Sequence, residues 1–353
     1  LKRPPAAPRA MWRLPRQSAA AALAAGAARD GLCRRAASSL ASLVHAHAVA
    51  SPARLALAAP QQGVAWSYSE LSQRAGRVAS GLARLGLGRG DVVATDLPNS
   101  AENFLLQVAA SHLGAAVATA KDAEALAALG RTAAVRCAVA QPPAGEGASG
   151  WLADATGLPS APVVVEALDG SLAPLIGDTD ESPPAVASAD GASALGYWSS
   201  TKPLTNREAL SDMGAAAKER LAVGAEDRVL VSITLCHAFG IGSAVGSALL
   251  AGAAVVLPGA SGIRGCGSPG QRAQVTLEVL ESQRCTLLFA DVHTLKALPA
   301  PGQADLGALR GGACKVGSGA DFLEDVREAK LGPEGEVRPL EYAGVRLVAV
   351  GKK

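Results

Sequence analysis

The stretch GDVVATDLPNSAENFLLQVAASHLG, residues 90–114, decides how the chain is read. Gly90-Asp91 makes a turn, and Val92 to Leu97 is an apolar, β-branched run suited to a buried strand. Pro98-Asn99 ends that strand, and the Ser100 hydroxyl stands where it can cap a helix over Ala101–Leu113. A buried strand passing through a tight turn into a helix is half of a parallel crossover unit. Working outward, Glu70–Leu85 spaces its apolar residues for a helix, with Ser69 as candidate N-cap and Gly86 as stop, and Ala115–Ala120 is a further short strand. Residues 141–190, with QPPAGEGASG at one end and DTDESPP near the other, read as loop and linker interrupted by a strand at Pro162–Val165. Beyond them come a strand at Ala194–Trp198, a helix at Asn206–Val223, a helix at Val275–Gln283 and a strand at Thr286–Ala290. A short element at Leu306–Leu309 and a helix at Phe322–Leu331 close the series. This alternation predicts an α/β fold with parallel-rich sheets covered by helices.

Hydrophobic residues make up 49% and charged residues 18% of the 353, a balance that excludes a disordered or collagen-like chain. The first 50 residues hold 8 of the 33 Lys/Arg and one of the 31 acids, Asp30, leaving 25 basic and 30 acidic groups for the rest. A mildly acidic body lacks the electrostatic footprint of a nucleic-acid binder. The Arg-, Ser- and Ala-rich segment from Met11 has the composition of an organelle transit peptide, with mitochondrion as first choice and plastid as the alternative. The ten residues before Met11 carry no initiator and read as upstream sequence. The expected organisation is a leader over 1–45 and a body over 46–353.

Residues 229–263 carry no formal charge, enough in length to span a bilayer. Gly240, Gly242, Gly246, Gly252 and Pro258 divide the run, and a buried strand at Val229–Ile233, a helix at Gly242–Ala251 and a strand at Ala253–Leu257 account for it without a membrane. Gly240-x-Gly242-x-x-x-Gly246 lacks the dinucleotide-binding spacing, so its glycines are expected to serve close helix packing. The six cysteines stand singly, and they and the five histidines form no metal-ligand spacing, which predicts buried free thiols and no metal centre.

Several segments carry a resemblance. Val64-Ala65-Trp66-Ser67-Tyr68, Gly90-Asp91-Val92, Leu97-Pro98-Asn99-Ser100 and Leu113-Gly114-Ala115 follow in the order seen at the start of the large domain of adenylate-forming acyl-CoA synthetases. Leu235-Cys236-His237-Ala238-Phe239-Gly240 is similar to that family's Leu-Phe-His-x-x-Gly segment, and Leu277–Leu298 to the helix, strand and turn of its acyl-pocket wall. The resemblance implies substrate-lining roles for His237, Phe239 and Gly240. It also implies a phosphate loop at Ser199, Ser200, Thr201 and Lys202, but the family's glycines are absent there and about half a dozen residues are missing, so the loop is degenerate. Ser199–Thr201 can equally form a strand-ending turn, with Thr205 capping the next helix.

After the Gly-rich segment Gly311–Ala320, which resembles the strand and turn beside the adenine, no Tyr-Gly-x-Thr-Glu follows. The ribose-binding Asp, the hinge and the small C-terminal domain with its catalytic Lys have no counterpart. No catalytic residue is therefore assigned. Three readings stay open: a family member that has lost catalysis and serves as an accessory subunit of an organellar complex; a truncated record of an active AMP-forming acyl-CoA ligase, using ATP, Mg and CoA; or an acyl or CoA binding module. The accessory reading expects other protein subunits as partners, docked on an apolar face near Phe239–Ala244 and Val316–Phe322.

Overall fold

The structure, a computed structural model, describes residues 39–119, 122–141, 152–166, 168–176, 184–187, 190–198, 202–259, 268–332 and 335–352. It has the α/β architecture expected from the alternation, organised on two sheets. Across the eight-stranded sheet the order is Asp321–Leu323, Val348–Gly351, Gly311–Lys315, Leu287–Asp291, Arg228–Ser232, Ala254–Val256, Leu55–Ala59 and Val64–Ser67. Its inner strands are parallel, and each edge strand runs antiparallel to its neighbour. The six-stranded sheet runs Val163–Val164, Ala134–Ala140, Asp91–Thr95, Ala116–Thr119, Ala194–Trp198 and Leu204–Thr205, parallel throughout except for the last strand.

The strands are apolar on both faces because both faces are covered. Along Arg228–Ser232, Val229 and Val231 enter a core shared with Tyr68, Val93 and Phe104, while Leu230 packs on the other side with Val279 and Leu295. That first core joins the two sheets, with the helices Tyr68–Arg84 and Ala101–His112 between them. Ala101–His112 is buried at every residue, so its polar side chains must find partners inside the protein. Glu102 accepts from Gln62 Nε2 and from the Gly170 N–H, and Gln107 Nε2 donates to Asn103 Oδ1. Asn103 Nδ2 in turn donates to the carbonyls of Leu97 and Pro98, fixing the turn that precedes the helix.

The charge-free run forms the strand–helix–strand unit expected of it. Its helix starts earlier, in π geometry over Phe239–Val245, and continues as α-helix over Gly246–Ala251. Residues 207–220 form a companion helix, π over Arg207–Gly214 and α over Ala215–Arg220, close to the expected Asn206–Val223. The two cross at their glycines: a Cβ added at Gly246 would lie 3.2 Å from the Gly214 Cα. Close packing is thus what the Gly240–Gly246 spacing serves. Among the described residues no helix is long and apolar enough to cross a membrane.

Four expectations are corrected. The helix after Val64–Ser67 is capped by Ser67, not Ser69, through a reciprocal box with Glu70. Pro269–Ser282 begins before Val275, because Ser268 and Gln271 form the same box and Pro269 suits the first turn. Leu306–Leu309 is a turn between loops rather than an element of its own. Phe322–Leu331 is not a helix: Asp321–Leu323 pairs with Val348–Gly351 and Glu328–Lys330 with Val337–Pro339. The edge of the large sheet offers Asp321–Leu323 a row of backbone partners, which outweighs its local spacing.

The boundary at residue 45 also shifts. Leu40–Ala50 is a helix with a Ser39–Ser42 capping box, and Leu40, Leu43 and Val44 belong to the main core. His47, buried on the same helix, hydrogen-bonds the Leu249 carbonyl at 2.7 Å and lies against the Tyr68 ring. The folded body therefore includes Ser39 onward, and the basic leader segment upstream lies outside the described residues.

Candidate functional site

In an open parallel sheet, ligands bind outside the carboxyl ends of the strands where the winding direction reverses. Here the chain passes from Arg228–Ser232 outward to Ala254–Val256 on one side, then returns to Leu287–Asp291 on the other. The reversal lies between Arg228–Ser232 and Leu287–Asp291. At the carboxyl ends around it stand the Thr234–His237 turn, Asp291 and Lys315, the last two directly paired across neighbouring strands.

These side chains line a cavity of about 310 Å³ with Arg272, Val292 and Val316. Lys315 Nζ lies 2.7 Å from His237 Nε2 and 3.3 Å from Nδ1, and it donates to the Gly319 carbonyl at 3.1 Å. The Phe239 N–H donates to His237 Nδ1 at 3.2 Å, satisfying an amide at the start of the helix. Burial, reinforced by the Lys315 charge and opposed by Asp291, pushes the imidazole pKa down to about 4, so His237 is neutral at pH 7. Burial lowers the Lys315 pKa as well, with Asp291 acting against it. Asp291 itself is committed: Oδ1 caps the next helix by accepting from the Thr294 N–H at 2.7 Å, and Arg272 Nη2 lies 3.2 Å from Oδ2. Arg272 Nε donates to Thr294 Oγ1 at 2.6 Å, which locks the guanidinium in place.

A second cavity, of about 400 Å³, opens on the other side of His237 and is lined by Trp198, Lys202, Leu204, Glu208 and Cys236. Two of the sequence-predicted residues, Lys202 and His237, therefore meet in one space. Ser199, Ser200 and Thr201 lie outside the described residues. Phe239 and Gly240 line neither cavity: Phe239 is fully buried, packed on Phe289 with centroids 5.6 Å apart, and the Gly240 backbone sits tightly on the Thr234 carbonyl. The apolar face expected at Phe239–Ala244 is likewise interior, since Phe239, Ile241 and Ala244 are core residues, while Val316 and Phe322 are half-buried.

His237 is held from a distance by Asn99. Asn99 Nδ2 donates to the Val231 carbonyl at 3.2 Å, and its Oδ1 accepts from the Leu235 N–H at 3.0 Å. One buried amide thus ties the Leu97-Pro98-Asn99 turn of one sheet to the His237 turn of the other.

Sequence reading missed Arg272, Asp291 and the role of Lys315. Asp291 and Lys315 each end a strand, and that position is the signal that could have marked them. Cys137, Cys285 and Cys314 are the expected buried free thiols, with pKa values pushed by burial to about 12, and Cys236 is half-buried. Cys33 and Cys266 lie outside the described residues. Among the described residues no three His, Cys, Asp or Glu side chains gather as a metal would require.

A family model for AMP-binding enzymes matches residues 44–329. The chain belongs to the AMP-binding enzyme family. Over 68 residues, 19% of this chain and 12% of the relative, the AMP-binding chain is 41% identical to 4-coumarate–CoA ligase 3 of Oryza sativa subsp. japonica. A fatty acyl CoA synthetase of Mycobacterium tuberculosis superposes with a TM-score of 0.62 at 18% identity, over 81% of this chain and 55% of that one. The N-terminal domain of FACL13 from the same organism gives 0.64 at 16% identity, over 85% and 86% of the two chains. The fold is that of the adenylate-forming acyl-CoA synthetases. The AMP-binding chain spans about half the length of the first synthetase and matches a much smaller part of the ligase.

Proposed function

We propose that this AMP-binding chain is an acyl-CoA synthetase-like protein that has lost adenylation and acts by holding a ligand rather than converting one. The observation that carries this reading is the connection between the last two strands of the six-stranded sheet. Ala194–Trp198 and Leu204–Thr205 pair antiparallel, so residues 199–203 close a hairpin. A nucleotide triphosphate needs a longer glycine-bearing loop whose backbone N–H groups can wrap it. The carboxylate at the reversal of the large sheet adds support, because Asp291 is already held by Arg272 and by a helix N–H. ATP with Mg and CoA, which the family uses when active, therefore fits these residues poorly, and no step is derived through them.

Of the non-catalytic readings, ligand binding is favoured over a docked accessory subunit because the expected apolar face is core. An organelle, first the mitochondrion, is proposed as its place on the basic, acid-poor composition of the first 50 residues. The test is ATP–pyrophosphate exchange with a panel of fatty acids, expected to match the protein-free blank. Robust exchange that disappears in Lys202→Ala would overturn the reading and restore an active ligase.

A further inference from the structure

The cavity at the reversal of the large sheet is cationic, and its cations are incompletely satisfied. Lys315 and Arg272 line it against a single acid, Asp291, and His237 is neutral at pH 7. The Lys315 ammonium carries three N–H groups, of which the Gly319 carbonyl and His237 engage two. Arg272 uses Nε on Thr294 and Nη2 on Asp291, and its Nη1 has no acceptor among the described residues. Both side chains are fixed by these partners, so their remaining donors are preorganised rather than free to turn into solvent. An apolar tail placed in this cavity would strip water from two cations without replacing it, at a cost that its own burial does not offset. The volume, about 310 Å³, suits a small molecule rather than a long chain.

The geometry points to a binding site for a short-chain organic acid whose carboxylate is held by Lys315 and Arg272, with its few carbons against Ile233, Val292 and Val316. This rests on the reading of the crevice as a ligand site without adenylation. It adds the ligand's chemical class, and it assigns Lys315 as the residue that sets it. Charge-assisted hydrogen bonds to a carboxylate are the strong kind, and a two-point cationic clamp rejects an uncharged isostere.

Butyrate binding to the full chain, followed by saturation-transfer NMR without ATP at low salt, tests this. Butyrate is expected to bind saturably, with butyramide and butylamine failing to displace it. Lys315→Met should weaken butyrate by about tenfold or more. Asp291→Asn, which keeps an acceptor for the Thr294 N–H but removes the competing charge on Arg272, should tighten it. The opposite signs separate the proposal from a general loss of folding. Equal competition by butyramide, unchanged affinity in Lys315→Met, or weaker binding in Asp291→Asn would overturn it. Absence of saturable butyrate binding would do the same while leaving the lack of pyrophosphate exchange intact, so the two readings fail separately.

Discussion

Asn99 shows how one side chain places a site it does not enter. Its amide is buried and spends both ends on the backbone of another sheet, at Val231 and Leu235. In Asn99→Ala the Leu235 N–H and the Val231 carbonyl lose these partners, and buried groups left unsatisfied cost about 1–3 kcal/mol each. The variant is expected to lose about 2–4 kcal/mol of unfolding free energy by urea titration. Because the Leu235 turn carries His237, the same variant should also shift the titration of the His237 ring, read from its Cε1 proton. A stability loss with an unmoved His237 titration would reduce Asn99 to an ordinary core amide. The Leu-Pro-Asn motif marks the residue in sequence, but its partners lie more than 130 positions away. Only folding brings them together.

Among the elements, Leu40–Ala50 departs furthest from its composition. Ala-rich and close to a basic segment, it reads as the end of a leader, yet it buries Leu40, Leu43 and Val44 against the helices of the main core. Burying a large aliphatic side chain stabilises by about 1.5–3 kcal/mol, so removing the helix would cost several times that. Any processing on import is therefore expected to cut upstream of Ser39. N-terminal sequencing of the protein recovered from the organelle checks this, and a mature start beyond Val44 would contradict the packing. The π-helical starts at Arg207–Gly214 and Phe239–Val245 were equally hidden, because glycine spacing announces close packing but not helical pitch. Phe322–Leu331 failed for a different reason: strand pairing at an edge is decided by the neighbour, not by the segment.

The whole molecule carries three half-buried or buried histidines whose pKa values burial has lowered. His47 and His112 are lowered, with their backbone hydrogen bonds acting against the shift, and His237 is lowered to about 4. The unfolded chain titrates these groups near 6.5, so below that pH it takes up protons before the folded chain does. Their contribution is complete above about pH 6.5 and is lost as the pH falls toward 4, so stability should rise with pH in this window. Urea midpoints measured at pH 7.5, 6 and 5, above the ordinary range of most carboxylates, are expected to fall in that order. His47→Gln, which keeps a donor for the Leu249 carbonyl, should flatten the slope; an unchanged slope would remove His47 from the account.

The sequence by itself determined the α/β class, the alternation that makes two parallel-rich sheets, the strand–turn–helix at Val92–Leu113, and the reading of the charge-free run as a buried unit. It also marked His237, Lys202 and the shortened segment at Ser199–Thr201. These features are local: each follows from apolar periodicity, glycine, proline and capping residues a few positions apart. Tertiary structure alone decided that Leu40–Ala50 is core, that Phe239 and Gly240 face inward, and that Asp291 is spent on Arg272. It alone set Lys315 beside His237, 78 residues away in the chain. These outcomes depend on which strand ends lie side by side, and strand order is chosen by burial and pairing across the whole sheet, which no local pattern encodes.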